Sequence, residues 1–244
     1  MQFHVLDNIT TMSEGAAEWI ANYINETLRR KQSFSLLLSG GNTPKGLYTT
    51  LSNERFKKLI DWNKVEIFFG DERHVPFTDE YNNGRMAYDL LLKPTGIPSS
   101  NVHYINTTVN GEESAAMYES TLRSYFSDDT HSFDLAMLGI GDDGHTLSLF
   151  PGEKEMFEQN KWVVTSTSPL PPIDRISLTP VIVNRSACIM FLVAGTNKTS
   201  ILDKVIRSAY DPNKYPVQII KNYPYNVHLF ADRGAVEQLL TNTA

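Results

Sequence analysis

The chain has 244 residues, of which 41% are hydrophobic, 11% aromatic and 20% charged, as in an ordinary globular protein. It carries 22 lysines and arginines against 28 aspartates and glutamates, which gives a formal net charge of −6. This balance excludes general nucleic-acid binding, which needs a basic surface, and any anion site must rely on a few local cations.

Targeting and redox signals are also missing from the sequence. The first residues do not combine a basic start with an apolar stretch, and no window approaches the ~20 apolar residues of a membrane span. The single cysteine, Cys188, excludes an intrachain disulfide and a cysteine-based zinc site. We therefore expect a cytoplasmic protein with no membrane or nucleic-acid partner.

Helical and strand patterns alternate through the first half of the chain. Apolar residues four apart predict an amphipathic helix over residues 13–32, with Ser13 as its N-cap. The short apolar run Phe34–Leu38 predicts a strand that runs into two glycines, and Thr43-Pro44 then opens a helix. Further along, the pattern predicts a strand at Val65–Phe69, a helix at 85–93 ended by Pro94, and a helix at 113–125.

The second half contains the most apolar strand, at residues 133–140, which is typical of a parallel sheet covered by helices on both faces. The other predicted elements are strands at 163–165, 176–178, 187–193 and 227–230, and helices at 198–207 and 235–240. Residues 169–172 are rich in proline and predict a stiff loop. The alternation predicts one layered α/β domain over residues 1–244, with a mostly parallel sheet flanked by helices.

Three polar loops follow predicted strands, and the first contains Gly40, Gly41, Asn42 and Thr43. Glycines let the backbone approach a ligand closely, and the free N–H groups at a helix N-terminus attract anions. The loop therefore predicts phosphate binding, although a tight turn capped by Thr43 is the alternative. It matches neither the Walker pattern nor the dinucleotide-binding pattern.

The other two loops carry ionisable side chains. Asp71 and Arg73 directly follow a predicted strand, and ligands bind beyond the carboxyl ends of strands in open parallel sheets. The alternative is a solvated loop in which Asp71 and Arg73 form a surface ion pair. In the third loop, Asp143 and His145 flank Gly144 after the most apolar strand. A histidine beside a carboxylate at such a position is a candidate general base, and a structural histidine is the alternative.

Two cations and several histidines complete the candidates. Arg175 starts a predicted strand and Lys198 lies where a strand turns into a helix, and each alone is more typical of a solvated surface cation. The third loop offers one histidine and two adjacent aspartates, whereas a zinc site needs at least three protein ligands with supporting partners, and we expect these aspartates to hold the histidine and the glycine loop instead. The other histidines have no ligand spacing, so no metal is predicted.

Taken together and in this order, the motifs resemble the 6-phosphogluconolactonase family of the glucosamine-6-phosphate isomerase/6-phosphogluconolactonase superfamily. The matching segments are 38–44, 70–73, 139–152, 175–179 and 195–198, and the block at 139–152 is the most specific. The resemblance covers nearly the whole chain. It implies the NagB/RpiA/CoA-transferase-like fold.

The same superfamily contains deaminases and isomerases of sugar phosphates. Deaminases usually have Asn-Glu-Pro where this chain has Leu149-Phe150-Pro151, and Asp-Glu-Tyr in place of the segment 71–73, so both differences favour the lactonases. The chain departs from the lactonase pattern at two positions. Asn42 stands where serine is common, and Leu170 stands where a lysine often precedes the two prolines, so one possible cation is missing.

The resemblance implies hydrolysis of 6-phospho-D-glucono-1,5-lactone to 6-phosphogluconate in the oxidative pentose phosphate pathway, without a cofactor. We expect His145 to be the general base, oriented by Asp143, and Arg73 to face the oxyanion. Asp71 would hold Arg73 or a sugar hydroxyl. The substrate phosphate would lie on Gly40, Gly41, Asn42 and Thr43, with Arg175 and Lys198 as counter-charges.

Two alternatives remain open. In a sugar-phosphate isomerase or deaminase, Asp71 would abstract a proton from C2. A non-catalytic sugar-phosphate sensor would need a DNA-binding module, and the sequence offers no such segment. The oligomeric state, monomer or small homo-oligomer, is not predicted.

Overall fold

A six-stranded parallel sheet forms the centre of the computed structural model, which describes residues 1–127, 131–221 and 226–241. In chain order the strands are β1 (Gln2–Leu6), β2 (Phe34–Leu38), β3 (Val65–Phe69), β4 (Asp71–Arg73), β5 (Leu135–Gly139), β6 (Val163–Thr167), β7 (Asp174–Leu178), β8 (Ile189–Val193) and β9 (Val227–Asp232). The large sheet has the order β1-β9-β8-β5-β2-β3, and a small antiparallel sheet has the order β4-β7-β6.

Helices connect the strands. They are α1 (Ile9–Leu28), α2 (Thr43–Leu51), α3 (Glu54–Leu59), α4 (Asn83–Ala87), α5 (Lys93–Thr95), α6 (Gly111–Tyr125), α7 (Pro180–Val183), α8 (Thr199–Arg207), α9 (Gln218–Lys221) and α10 (Arg233–Thr241). Short 3-10 turns occupy Trp62–Lys64, Ser99–Asn101, Lys154–Phe157 and Thr196–Lys198, and a π-helical turn occupies Tyr88–Leu92. No helix in the described ranges is both long and apolar enough to cross a membrane.

The predicted fold class is confirmed. All five residues of β2 and of β8 are buried, as expected for apolar strands in the middle of a parallel sheet that has helices on its faces. One edge strand, β1, was not predicted, because polar residues interrupt its short apolar pattern and its strand character comes from pairing with β9. The small sheet was not predicted either.

Gly70 joins the two sheets. Its N–H donates to the carbonyl of Leu38 in the parallel sheet, and its carbonyl accepts from the N–H of Leu178 in the small sheet. The chain therefore leaves β3, turns at Gly70 and enters β4 without a loop. The prediction that Asp71 to Arg73 form a loop is wrong.

Two predicted helix starts are also wrong. The first helix begins at Ile9 because Asn8 is its N-cap, accepting from the N–H groups of Thr10 and Thr11 in a capping box. Ser13 lies inside the helix, is 3% exposed and donates its hydroxyl to the carbonyl of Ile9.

The helix predicted for 85–93 begins at Asn83 and continues past Pro94. Pro94 is tolerated there because it lies in the first turn of α5, which follows the π-helical turn, and first-turn N–H groups need no helical partner. The helix ends at Gly96, which has a φ of +76° in the left-handed region.

Candidate active site

A cleft of about 620 Å³ opens at the carboxyl ends of β8, β5, β2 and β3, which are neighbours in the parallel sheet. Loops that are far apart in sequence meet there because parallel strands all end at the same edge. The cleft is lined by all the residues that the sequence singled out: Gly40, Gly41, Asn42, Thr43, Asp71, Arg73, Asp143, His145, Arg175 and Lys198.

His145 and Asp143 form a close pair. The Nδ1 atom of His145 lies 2.6 Å from Oδ1 of Asp143, which also accepts from the backbone N–H of His145. Partial burial raises the pKa of Asp143, but the hydrogen bonds and the charge of His145 outweigh it, so the net shift is downward. Because the carboxylate is ionised and can only accept, Nδ1 is the protonated nitrogen, and in the neutral ring Nε2 carries the lone pair.

The loop around this pair requires glycine at Gly141. A Cβ there would overlap the imidazole ring of His145, and the Gly141 N–H donates to the carbonyl of His145 at 2.8 Å. The imidazole also packs against the ring of Phe150, with 4.7 Å between ring centroids and an angle of 49° between the ring planes. Glycine and phenylalanine thus fix the orientation of the imidazole between them.

The first loop leaves the N-terminus of α2 open to the cleft. Gly41 has a φ of +92°, which favours glycine, and Asn42 is the N-cap but makes no side-chain capping bond. Thr43 is the first helical residue, so the alternative of a turn capped by Thr43 is wrong. The buried hydroxyl of Tyr48 accepts from the N–H of Ser39 and donates to its carbonyl, which anchors the loop.

The small sheet supplies the other wall of the cleft. Arg73 and Arg175 face each other on β4 and β7, so their side chains leave the sheet on the same side. Arg175 is 7% exposed, and neither its Nε nor its Nη1 has a hydrogen-bond partner within the described residues. Burial, and then the charge of Arg73, lower the pKa of Arg175. A buried guanidinium with unpaired donors is costly unless an anion binds it.

Lys198, in contrast, is already occupied. Its ammonium donates to the carbonyl of Ile140 at 2.8 Å and pairs with Asp142 at 2.6 Å. Asn197 also donates to Asp142. Lys198 therefore holds the third loop, whereas the Nε and Nη1 donors of Arg175 have no partner within the described residues.

Asp71 and Arg73 are near each other but do not form an ion pair. Oδ2 of Asp71 accepts from the hydroxyl of Ser148 at 2.6 Å, and Arg73 donates to the carbonyl of Tyr81 at 2.9 Å. Ser148 is buried, and its carbonyl accepts from Ser166. Of the two uses predicted for Asp71, the contact with Arg73 is absent from the described structure, and the contact with a sugar hydroxyl stays a prediction.

Two residues beside the cleft were given no role from the sequence. Glu72 is buried, and its carboxylate accepts from the backbone N–H groups of Arg73, Asn83 and Gly84. Burial raises the pKa of Glu72 to about 7 in spite of these donors. Asn83 is also buried, and it donates from Nδ2 to the carbonyl of Asp71. The signal for Glu72 was its place in the motif at 70–73, and the only signal for Asn83 was the polar segment 79–85 between predicted elements.

The described residues hold no group of three or more His, Cys, Asp or Glu side chains that could bind a metal. In the third loop, one carboxylate oxygen of each aspartate already has a partner. Asp143 accepts from His145, and Asp142 accepts from Lys198.

Comparisons with known proteins extend these observations. A family model described as glucosamine-6-phosphate isomerases/6-phosphogluconolactonase matches residues 7–228. The chain is 33% identical over 224 residues to a protein of Synechocystis named 6-phosphogluconolactonase. The aligned residues cover 90% of this chain and 91% of the relative.

Solved structures agree with this relationship. The crystal structure of a 6-phosphogluconolactonase from Thermotoga maritima has a TM-score of 0.82 and 27% identity, covering 95% of this chain and 99% of that one. A monomeric glucosamine-6-phosphate deaminase also has a TM-score of 0.82, at 19% identity, covering 98% and 100%. The fold is thus shared by both classes, and backbone likeness alone does not separate them.

Proposed function

The chain belongs to the family of glucosamine-6-phosphate isomerases and 6-phosphogluconolactonases, and we propose that it hydrolyses 6-phospho-D-glucono-1,5-lactone to 6-phosphogluconate with His145 as general base. The observation that carries the mechanism is the 2.6 Å pair between Nδ1 of His145 and Asp143. It leaves Nε2 of His145 as a free base in the cleft. In the described part of the chain, no group hydrogen-bonds to Nε2.

The proposed reaction needs no cofactor, because a lactone carbonyl is already electrophilic. His145 takes a proton from water while the water oxygen attacks C1. The proton then passes from Nε2 to the ring oxygen as the bond between C1 and that oxygen breaks. Asp143 keeps the ring in the required tautomer and stabilises its charged form.

Arg73 is proposed to face the negative charge that develops on the carbonyl oxygen. Its side chain is held by the carbonyl of Tyr81, so it enters the reaction already positioned. Asp71, fixed by Ser148, is proposed to accept a hydrogen bond from a sugar hydroxyl. Both residues lie on β4, which keeps their spacing constant.

The 6-phosphate is proposed to bind between the two walls of the cleft. The open N-terminus of α2, with Gly40, Gly41, Asn42 and Thr43, offers N–H donors to an anion. Arg175 supplies the main counter-charge, because its donors are buried and unpaired. Lys198 contributes as a second cation if it exchanges its partner Asp142 for the phosphate. Binding energy from the phosphate would position C1 beside His145.

A coupled assay tests the activity directly. It follows the disappearance of 6-phosphogluconolactone and subtracts the spontaneous hydrolysis, and we expect a large enzyme-dependent rate. The same preparation is offered glucosamine 6-phosphate, and we expect no ammonia. Ammonia release without lactone hydrolysis would assign the cleft to the deaminase class.

The cellular setting stays a prediction. The cytoplasmic location, and the absence of membrane and nucleic-acid partners, rest on the sequence alone. Fractionation of cells that express the protein tests the location. Sedimentation of the purified protein gives its oligomeric state.

A further inference from the structure

We propose that Asn83 is a positioning residue that sets the distance between the phosphate loop, defined here as Gly40 to Thr43, and the acidic strand β4. The inference rests on the proposed function, because it takes the phosphate loop to bind substrate. It concerns a side chain outside the three loops that the sequence singled out.

Asn83 lies between the two segments and contacts both. Its Nδ2 donates to the carbonyl of Asp71 at 3.0 Å, which ties it to β4. Its carboxamide lies against the Cα atom of Gly40, because a Cβ at Gly40 would overlap the Asn83 carboxamide. Asn83 is 3% exposed, so the contact is enclosed by protein on nearly all sides.

The backbone of Asn83 is held as firmly as its side chain. Its N–H donates to Oε1 of Glu72 at 2.7 Å, and the next N–H, of Gly84, donates to Oε2 at 2.8 Å. Glu72 thereby joins the start of α4 to the strand that carries Asp71 and Arg73. Asn83 cannot move without breaking these bonds, so it acts as a fixed spacer.

Two consequences follow for the reaction. The spacer decides how closely Gly40 approaches β4, and therefore the separation between the phosphate loop and Asp71. It does not touch His145 or Asp143, so the proton-transfer groups are independent of it. A change at Asn83 should therefore alter substrate binding more than the chemical step.

The test is a double-mutant cycle between positions 40 and 83. Asn83→Ala should raise KM for the lactone about tenfold, the size of one lost buried hydrogen bond, and change kcat by less than about threefold. Gly40→Ala alone should raise KM about 10- to 100-fold, because its methyl group collides with the carboxamide. In the Asn83→Ala background the same methyl group should cost no more than about threefold, because the carboxamide is gone.

Asn82→Ala is the matched control. Asn82 is buried beside Asn83 and accepts from the N–H of Arg85 to cap α4, so its loss weakens the same helix. The three atoms nearest to a Cβ placed at Gly40 all belong to Asn83, and none belongs to Asn82. Gly40→Ala should therefore be as harmful in the Asn82→Ala background as in the parent. A spacer role predicts this difference, and general loss of stability does not.

Asn83→Asp keeps the test open if Asn83→Ala does not fold. It preserves the shape that faces Gly40 but removes the donor to Asp71, so KM should rise while the Gly40→Ala collision persists. Parental KM in a folded Asn83 variant, or an equal cost of Gly40→Ala in both backgrounds, would overturn the spacer. Failure of the parent protein to hydrolyse the lactone would instead remove the proposed function.

Discussion

The parallel sheet shapes the cleft with loops, whereas the small antiparallel sheet provides it with side chains held on strands. After β2 and β5 the chain turns through glycines, and the cleft receives backbone N–H groups and one imidazole. From β4 and β7 it receives Asp71, Arg73 and Arg175, which are fixed by pairing between the strands. Loops permit the close approach that a ligand needs, and paired strands keep charges at a constant spacing.

The two walls also differ in how their charges are satisfied. We call the segments that follow β2, β5 and β8 the loop wall. On it, His145 is paired with Asp143 and Lys198 with Asp142. We call β4 and β7 the strand wall. On it, Arg175 has buried donors without partners in the described residues. Under the proposed function, the loop wall is ready for proton transfer before substrate arrives, whereas the strand wall needs an anion to pair its donors. The variants below test this division of labour.

The largest effect should come from the loop wall, at His145. His145→Asn keeps a similar shape but removes proton transfer, which typically contributes about 10²–10⁴-fold. We expect kcat on the lactone to fall by that factor with little change in affinity for 6-phosphogluconate. Turnover near the parental rate in a folded variant would take His145 out of the mechanism.

On the strand wall, Arg73→Lys should have the next largest effect. Lysine keeps the charge but loses the planar fork of donors, and a contact that strengthens in the transition state affects the chemical step. We expect kcat to fall by about 10²–10³-fold, as for the loss of one oxyanion donor. A raised KM with unchanged kcat would make Arg73 a substrate-binding residue instead.

A single methyl group should separate shape from chemistry on the loop wall. Gly141→Ala places a Cβ inside the space of the His145 ring, so the imidazole must move. Misplacement of about 1 Å can cost about 100-fold in rate, and we expect a fall in kcat of that order. Gly139→Ala is the matched control, because the nearest atom to its new Cβ would be Oγ of Ser39 at 3.8 Å, an ordinary van der Waals contact. An equal fall in kcat in both variants would contradict the idea that Gly141 leaves space for the His145 ring.

The sequence predicted both the residues of the loop wall and the pairing of Asp143 with His145, whereas on the strand wall it predicted the site residues but not the strand pairing that holds them. Glycines after apolar strands are local signals, and Asp143 and His145 are two residues apart, so their pairing needs no knowledge of the fold. The strand character of Asp71 to Arg73 arises from pairing with residues about a hundred positions later, and a short charged segment carries no local strand pattern.

The same reason explains the other missed contacts. Ser148 lies inside the most specific motif, but its partner Asp71 is 77 residues away. The burial of Arg175 without partners also depends on how β7 sits in the second sheet. The position of the loops after strands and the family resemblance indicated which residues would meet at the sheet edge, but neither could indicate which of their donors would be left unsatisfied.

We expect the Arg175 side chain to lower the thermal stability of the protein and to raise its affinity for 6-phosphogluconate. Arg175→Met fills much of the same space without a charge, so we expect 6-phosphogluconate to bind more weakly by about 1–3 kcal/mol in calorimetry. The unliganded variant should unfold at a higher temperature, because a buried charge with unpaired donors has been removed.

Lys198→Ala should weaken product binding less than Arg175→Met, because Lys198 must first leave Asp142. Added salt should weaken product binding by the parent protein, since the contacts are between charges. Parental affinity in both variants would show that neither cation binds the phosphate.

The smallest effect should follow the removal of metal ions, which tests whether the loop wall acts through its own side chains. The third loop offers one histidine and two aspartates, and a zinc site needs at least three protein ligands with supporting partners. Asp143 uses Oδ1 to accept from His145, and Asp142 uses its Oδ1 for Lys198. A metal bound through these two oxygens would displace both contacts, and with them the orientation of His145. We therefore expect full lactone hydrolysis after exhaustive dialysis against EDTA, measured beside an untreated sample. Activity that disappears and returns with a divalent ion would mean that these carboxylates serve a metal and not the imidazole.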